Sequence, residues 1–386
     1  MRLSLGVVLA AVVAVVVVTG ASGVSSGGTI TTITGSGKGG FSGGGGPLTA
    51  GAAPSTSAPT LRTATSGVLV VARFGKTGSQ KPAKIVVARP DGSGSRVLTT
   101  GWIPSVSPDG LRVAVIDSDV NWYTSQRLEL YATSGGAPRR VLPLGCFHVY
   151  WSPDSAKLAC AEYFGPNKPQ RLRLVDAESG KTATLATGFF DDQLSFSPDS
   201  ASLAYVQMPK RVTAKGSLKV IDLATRAVRT LRGGTAASPA WGPDAIALGV
   251  LKPRGFGANT TANVALIHPD GTGYRQITDF RPDAELFGPV PVAWSADGKR
   301  LLAGMTGGYA WVARESYAVD PVRGGARLIA HQVSPSVLTR DGRYLIGQTG
   351  DEATSGLDGS NVVRVPWAGG KQRILLRQAV EPSLGG

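Results

Sequence analysis

Three histidines and a series of aspartates are the side chains of this sequence best suited to chemistry. The histidines are His148, His268 and His331. A zinc site needs several such ligands converging on one point. The strand order set out below places His148 and His331 at the starts of the first strands of blades 3 and 7, far apart, and His268 at the end of a third strand on the opposite face, so we expect no shared metal site.

Two short motifs begin like reactive loops but lack residues that the chemistry requires. Gly23-Val24-Ser25-Ser26-Gly27 matches the G-x-S-x-G nucleophile elbow, which needs a strand before it and a helix after it. Its Gly- and Ser-rich surroundings can form neither. The segment 117–121 begins like a calcium loop, without glycine at the sixth position or glutamate at the twelfth. We therefore expect no catalytic residue, metal or cofactor from local motifs.

The aspartates belong to a repeated turn that organises most of the chain. The anchor aspartates are spaced 45, 45, 45, 53 and 44 residues apart. Such spacing, with several short strands in each interval, is typical of propeller blades. The six turns are Ser107-Pro108-Asp109-Gly110, Ser152-Pro153-Asp154-Ser155, Ser197-Pro198-Asp199-Ser200, Gly242-Pro243-Asp244-Ala245, Ser295-Ala296-Asp297-Gly298 and Thr339-Arg340-Asp341-Gly342.

Each interval reads as four strands, which we call the first, second, third and fourth strands of a blade. Proline presets φ and aspartate bonds its own backbone, so each anchor turn joins a first strand to a second. Three strands precede the first anchor, three follow the last, and the C-terminal segment 379–384 resembles the first strands at 332–337 and 103–106. The prediction is an all-β, seven-bladed β-propeller, with six blades as the alternative. The C-terminal strand closes the first blade, which leaves no raw edge.

The N-terminal region has a different composition. Arg2 precedes an apolar run over 3–18 and then small residues, a pattern typical of a signal peptide over 1–23, with an uncleaved anchor as the alternative. Residues 24–60 are mostly Gly, Ser, Thr and Ala, which predicts a disordered linker before a propeller over 61–386. We expect a secreted or cell-envelope protein, periplasmic or extracytoplasmic.

The formal net charge of +14 favours anionic partners. An envelope protein or an anionic surface polymer fits this charge. Nucleic acid is not expected, because no nucleic-acid-binding module is recognisable. Membrane contact is expected only through an uncleaved N-terminal segment, and a monomer is the favoured state.

Arginine occupies one equivalent position in six of the fourth strands, with Ala183 in the remaining strand. We interpret these arginines as protection of the outer edges against strand pairing; a basic binding stripe is the alternative. They are Arg96, Arg140, Arg229, Arg275, Arg327 and Arg373.

Two kinds of connection separate the two faces of the predicted ring. The connections from second to third strands, and from fourth strands to the next blade, share the "loop-rich face"; the remaining connections share the "turn face". Aromatic and charged residues in irregular loops favour the loop-rich face for binding, although these aromatics could instead plug the loop bases. The candidate binding residues are Trp102, Trp122, Tyr123, His148, Phe189, Phe190, Asp191, Arg254, Phe280 and Phe287.

The two cysteines, Cys146 and Cys160, lie in the first and second strands of one blade. They fall close to opposite each other across the Pro153-Asp154 turn, and an exported protein can retain a disulfide. However, Cys160 also matches core positions such as Val115 and Tyr205, so the sequence leaves open both a bridge and two buried thiols.

The Ser-Pro-Asp-Gly turns, each followed by an apolar strand and a Gly-containing turn, resemble the repeats of TolB-type, WD-like β-propellers of bacterial envelopes. The resemblance covers about residues 67–386. It implies a scaffold that binds a protein or an envelope polymer, and we expect this scaffold to be non-catalytic because no nucleophile, acid–base pair or metal cluster emerges from the repeats. The alternative function is a glycan-active lyase or hydrolase at the loop-rich mouth of the channel, using His148, His331 and an acid such as Asp191 or Asp283. Convergence of a histidine, a tyrosine or arginine, and an acid would favour the enzyme.

Overall fold

The structure is a computed structural model, and its described parts belong to one compact unit. The predicted signal peptide and linker lie outside these parts. The described residues are 67–74, 82–118, 126–165, 168–209, 216–253, 260–280, 286–307, 315–350 and 360–386.

Every regular element in the described residues is a β-strand, which confirms the all-β prediction. The strands of the N-terminal half are β1 (Val68–Arg73), β2 (Ala83–Ala88), β3 (Arg96–Val106), β4 (Arg112–Ser118), β5 (Gln126–Ala132), β6 (Arg140–Leu142), β7 (Tyr150–Trp151), β8 (Lys157–Glu162), β9 (Gln170–Asp176), β10 (Thr182–Phe190), β11 (Ser195–Phe196), β12 (Ser202–Met208), β13 (Ser217–Asp222) and β14 (Val228–Arg232). The remaining strands are β15 (Ala236–Trp241), β16 (Ile246–Pro253), β17 (Thr260–Ile267), β18 (Arg275–Gln276), β19 (Leu286–Trp294), β20 (Leu301–Gly307), β21 (Glu315–Val319), β22 (Ala326–His331), β23 (Val333–Leu338), β24 (Tyr344–Thr349), β25 (Asn361–Pro366), β26 (Arg373–Arg377) and β27 (Ala379–Gly385).

Antiparallel pairing divides the described strands into seven four-stranded groups, which we number as blades. Blade 1 has the order β27-β1-β2-β3, and β3 continues as the first strand of blade 2, β3-β4-β5-β6. Blade 3 is β7-β8-β9-β10 and blade 4 is β11-β12-β13-β14. Blades 5, 6 and 7 are β15-β16-β17-β18, β19-β20-β21-β22 and β23-β24-β25-β26.

The first strands of successive blades contact one another around a ring. From β3 the contacts run through β7, β11, β15, β19 and β23 to β27, and β27 contacts β3 again. These strands surround the channel. The second and third strands lie in the middle of each blade, and their apolar faces pack against the neighbouring blades. The run 203–206 in β12, for example, is entirely buried. The core therefore lies between the blades.

The anchor turns are held by the same few hydrogen bonds in successive blades. In blade 2, the Ser107 hydroxyl donates to Asp109 Oδ1 over 2.5 Å, and the Arg112 N–H donates to Ser107 Oγ over 3.0 Å. In the equivalent turn of blade 4, the Ser197 hydroxyl and the Ala201 N–H lower the pKa of Asp199 by hydrogen bonding to its carboxylate. In these turns the anchor carboxylate accepts the hydrogen bonds that hold the chain reversal.

Serine replaces glycine at the last position of two anchor turns, where φ is positive. Ser155 and Ser200 both have φ of 61°, close to the 72° of Gly110. Each serine hydroxyl accepts a hydrogen bond from the preceding blade: the Asp109 N–H donates to Ser155 Oγ over 3.0 Å, and the Asp154 N–H donates to Ser200 Oγ over 3.1 Å. The strained serine therefore joins two blades.

We expect Ser155→Ala to lower the free energy of unfolding by about 1–2 kcal/mol, because it leaves the Asp109 N–H without its acceptor. Ser155→Gly should cost about 1 kcal/mol less, since glycine relieves the left-handed backbone. Urea denaturation of the two variants measures the difference. Equal losses would show that the backbone conformation of Ser155 stores no strain.

The fourth-strand arginines have a role that neither interpretation of the sequence included. The Arg140 Nε donates to the Glu178 carbonyl over 2.9 Å, and the Arg327 Nη2 donates to the Trp367 carbonyl over 2.8 Å. In both cases the acceptor lies at the turn between the third and fourth strands of the next blade. Arg96, Arg229 and Arg275 donate in the same way to Thr133, to Pro269, and to Pro321 and Val322. These arginines join neighbouring blades at the outer rim.

Candidate functional site

Two of the aromatics predicted for the loop-rich face are core residues instead. Trp102 is 6% exposed and lies 5.6 Å from Phe74 between ring centroids, and Phe190 is 3% exposed against Tyr205. Their burial fits the alternative that these aromatics plug the loop bases, because large side chains are needed to fill the wedge between blades where a fourth strand runs into the next first strand. Phe189 and Phe280 are half-buried, and Phe280 packs edge-on against Tyr317. Trp122, Tyr123, Arg254, Asp283 and the side chain of Phe287 lie outside the described part of the chain.

A polar cluster lies where the first strands of blades 3 and 4 begin, at the loop-rich mouth of the channel. The Tyr150 hydroxyl donates to the Asp192 carbonyl over 2.9 Å. The Gln193 N–H donates to Asp191 Oδ1 over 3.1 Å. Gln193 Nε2 then donates to the Pro239 carbonyl of blade 5 over 3.0 Å and to the Pro291 carbonyl of blade 6 over 3.3 Å. We call Tyr150, Asp191, Asp192 and Gln193 the "channel-mouth cluster"; it connects four blades.

Burial shifts the titration of this region toward neutral side chains. Desolvation raises the pKa of Asp191, and it lowers the pKa of His148, which is half-buried just before β7. Desolvation also raises the pKa of Tyr150, and the charges of Asp192 and Asp191 raise it further. The mouth therefore disfavours ionised groups and offers mainly hydrogen-bonding ones.

Asp191→Asn is expected to raise the melting temperature at neutral pH, since the amide oxygen can still accept the Gln193 N–H without a buried charge. The folded-state pKa of Asp191 is raised, so the folded protein holds the proton more tightly than the unfolded chain, and wild-type stability falls as pH rises through that pKa. The advantage of the variant should vanish as pH falls toward 3.8, the reference value. Melting curves of both proteins from acid to neutral pH test this. A constant advantage at every pH would contradict the assignment to Asp191.

A second cluster lies on the loop-rich face of blade 6. His331 Nδ1 is 3.0 Å from Glu315 Oε1, and the Tyr317 hydroxyl donates to the other carboxylate oxygen. The His331 side chain is 68% exposed and the Glu315 side chain only 14%. An ionised carboxylate can only accept a hydrogen bond, so this contact favours the His331 tautomer with the proton on Nδ1 and Nε2 as the acceptor. We call Glu315, Tyr317 and His331 the "blade-6 cluster"; a histidine, a tyrosine and an acid converge there.

A groove of about 370 Å³ lies beside His331, between blades 6 and 7. The groove is lined by Leu328, Ile329, Ala330, His331, Gly370 and Gln372. Sequence reasoning placed His331 at the start of a first strand, whereas it is the last residue of β22, the fourth strand of blade 6. It also missed Glu315 and Tyr317, although their i, i+2 spacing puts both side chains on one face of a strand.

The three histidines lie apart from one another, whereas the two cysteines are joined. His148 and His331 lie on different blades, and His268 follows β17 on the turn face. Within the described residues, no group of three or more histidine, cysteine, aspartate or glutamate side chains could hold a metal ion. A disulfide joins Cys146 to Cys160, with Cα atoms 5.9 Å apart, and both residues are buried. It fastens the start of blade 3 to its second strand.

None of the described residues forms a helix long and apolar enough to cross a membrane. No protein-family model matches the chain, and neither does any curated protein sequence.

Solved structures match at low sequence identity. A structure of prolyl endopeptidases matches with a TM-score of 0.56 and 14% identity, over 81% of this chain and 50% of that chain. An oligogalacturonate lyase in complex with manganese has a TM-score of 0.51 and 16% identity, over 80% of this chain and 84% of that chain. TolB from Acinetobacter baumannii has a TM-score of 0.49 and 14% identity, over 82% of each chain. The two higher scores concern the fold alone, and the predicted β-propeller fold is confirmed.

Proposed function

We propose that the protein is an exported, non-catalytic scaffold that presents its loop-rich face to an envelope protein or an anionic surface polymer. The observation that carries this proposal is the difference between the two faces. Polar groups from four blades converge in the channel-mouth cluster, whereas the turn face repeats one anchor turn. A site formed by several unlike strands on a rigid ring is suited to recognising one partner.

The hydrogen bonding of the channel mouth supports binding rather than catalysis. The Tyr150 hydroxyl donates to the Asp192 carbonyl, and the Asp191 carboxylate accepts from the Gln193 N–H. These bonds fix the groups in one arrangement. Neither of them joins a general acid to a general base. The buried disulfide is compatible with an oxidising compartment outside the cytoplasm.

Photocrosslinking in the native envelope tests this proposal. A crosslinking amino acid replaces Lys168 on the loop-rich face or, as the control, Lys181 on the turn face; both are exposed residues of blade 3. We expect a discrete protein or polymer adduct from position 168 only. Equal adducts from both positions, or an adduct from position 181 alone, would contradict binding through the loop-rich face.

A second candidate function is a glycan-active lyase or hydrolase, and the blade-6 cluster favours it. In the described part of the chain no group bonds to Nε2 of His331, so this nitrogen can accept a proton beside the groove while Glu315 orients the ring. Because the propeller fold hosts both binding proteins and enzymes, the fold alone does not distinguish the scaffold function from the enzyme function.

Turnover of acidic and neutral oligosaccharides by the full chain tests the enzyme. His331→Ala should then lower kcat by roughly 100-fold or more, and Glu315→Gln should alter the pH profile. Lys168→Ala, also on the loop-rich face, serves as the matched control. An activity that is unchanged in His331→Ala would exclude the blade-6 cluster as its site.

A further inference from the structure

The net positive charge of the turn face is greatest on two neighbouring blades. On blades 6 and 7, the basic residues of this face are Lys299, Arg300, Arg323, Arg327, Arg340, Arg343, Lys371 and Arg373. The acidic residues of the same sector are Asp297, Asp320 and Asp341. We call this part of the turn face the "basic sector".

The same face of blades 4 and 5 has the opposite balance. Its basic residues are Arg226, Arg229 and Arg275, and its acidic residues are Asp199, Asp222, Asp244 and Asp270. A charge pattern required only by the repeat would be distributed evenly around the ring. Within the basic sector, Lys299, Arg323, Arg340 and Lys371 are exposed to solvent. The repeat therefore explains the acidic anchor residues but not the excess of cations.

Two apolar side chains project from the turn face. Val322 is 79% exposed and Leu111 is 65% exposed, the two highest values among the large apolar side chains of the described residues. Val322 lies in blade 6, within the basic sector, and Leu111 lies in the anchor turn of blade 2. Each side chain therefore exposes apolar surface to water at a position where a polar residue would not lower the stability of the fold.

Both apolar residues are held outward by fixed turns. The Leu111 N–H donates to Asp109 Oδ1 over 2.9 Å, and the Val322 N–H donates to Asp320 Oδ1 over 2.9 Å. Arg275 of the neighbouring blade donates to the Pro321 carbonyl over 2.6 Å and to the Val322 carbonyl over 3.1 Å. The two tips are thus rigid before any partner arrives, which reduces the entropy lost on binding.

We propose that the turn face docks on an anionic lipid bilayer, with the basic sector against the headgroups and with Val322 and Leu111 inserted at headgroup depth. Basic residues near an anionic bilayer are attracted to it, and apolar side chains on the same surface add burial. Leu111 and Val322 lie on blades separated by several others around the ring, so one partner must be wide and flat to cover both. A soluble polyanion would use the cations and leave both tips in water.

This surface is distinct from the face assigned to the proposed function. With the turn face on the membrane, the loop-rich face points away from it and stays open to a partner.

Sedimentation with phosphatidylcholine vesicles, with and without phosphatidylglycerol, tests the docking of the full-length protein. We expect binding only to the phosphatidylglycerol vesicles. The triple variant Lys299→Glu, Arg340→Glu, Lys371→Glu should lower the partition coefficient by roughly 100-fold. All variants keep the apolar N-terminal segment, so differences between them report the propeller surface.

A matched triple variant, Lys84→Glu, Lys168→Glu, Arg377→Glu, changes the net charge equally by substituting exposed residues on the loop-rich face. It should bind vesicles nearly as the wild type does. Leu111→Ser with Val322→Ser should reduce binding by about tenfold without any change of charge. Equal losses in the two triple variants, or wild-type binding by the serine variant, would overturn the proposal. So would binding to soluble polyphosphate but not to vesicles.

Discussion

Deleting residues 379–386 is expected to abolish the cooperative fold or to lower its stability severely. These residues form β27, which pairs with β1 from Val68 opposite Gly385 to Arg73 opposite Ala379. Ala379 and Val380 are fully buried. Losing a whole ladder at about 1 kcal/mol per hydrogen bond, together with buried apolar surface, costs on the order of 5 kcal/mol or more, which is comparable to the total stability of a typical domain.

The deleted strand is also tied to blades other than its own. The Ile103 N–H of blade 2 donates to Glu381 Oε2 over 3.1 Å, and the Val106 N–H donates to Ser383 Oγ over 3.0 Å. The Glu381 N–H donates to Gln348 Oε1 of blade 7 over 2.7 Å. The strand therefore joins blades 7, 1 and 2, and its loss opens the ring.

Thermal unfolding and size-exclusion chromatography measure the effect of the deletion. As a control, Glu381→Gln with Ser383→Ala keeps the strand and loses only side-chain contacts, so its loss should be much smaller. A peptide of residues 378–386 added to the truncated protein should restore part of the stability. An unchanged melting temperature after deletion would refute closure by β27.

Phe190→Ala should destabilise the protein by about 3–5 kcal/mol, the range for removing a buried aromatic side chain. Phe190 packs edge-on against Tyr205, with ring centroids 5.7 Å apart, and its N–H donates to Gln170 Oε1 over 2.9 Å. It lies between blades 3 and 4, the boundary at which Ala183 replaces the rim arginine.

Phe189→Ala is the matched control, because the preceding side chain is only half-buried. Chemical denaturation should show a clearly smaller loss for Phe189→Ala. If the two variants lose equal stability, the Phe190 side chain does not provide the packing between blades 3 and 4. Any loss of partner binding by Phe190→Ala would have to be separated from unfolding before it is interpreted.

The sequence determined the architecture because the architecture depends on local patterns. Anchor turns such as Ser152-Pro153-Asp154-Ser155 specify a chain reversal by themselves, and their spacing sets the length of a blade. The C-terminal segment repeats a first-strand pattern, so its pairing with β1 follows from the need to close the ring. The distinction between the loop-rich and turn faces also follows from strand order alone.

Residue-level features of the site depended on packing between distant segments. The sequence indicated aromatic residues at Trp102 and Phe190, but whether an aromatic side chain fills a wedge or faces solvent is decided by the neighbouring blade. The sequence indicated that Arg140 protects a strand edge, because nothing near it in the chain marks its hydrogen-bond acceptor. That acceptor, the Glu178 carbonyl, lies 38 positions away. Backbone acceptors of this kind leave no signature in residue type.

The blade-6 cluster shows the same division. The sequence presented His331 as an isolated histidine and Glu315 as an ordinary strand residue, 16 positions apart. Only antiparallel pairing of β21 with β22 brings them opposite each other. Composition and spacing thus determined a basic, all-β repeat protein with two unlike faces. Tertiary structure alone decided which side chains meet, because hydrogen bonds and packing act over a few ångströms in space, whatever the separation along the chain.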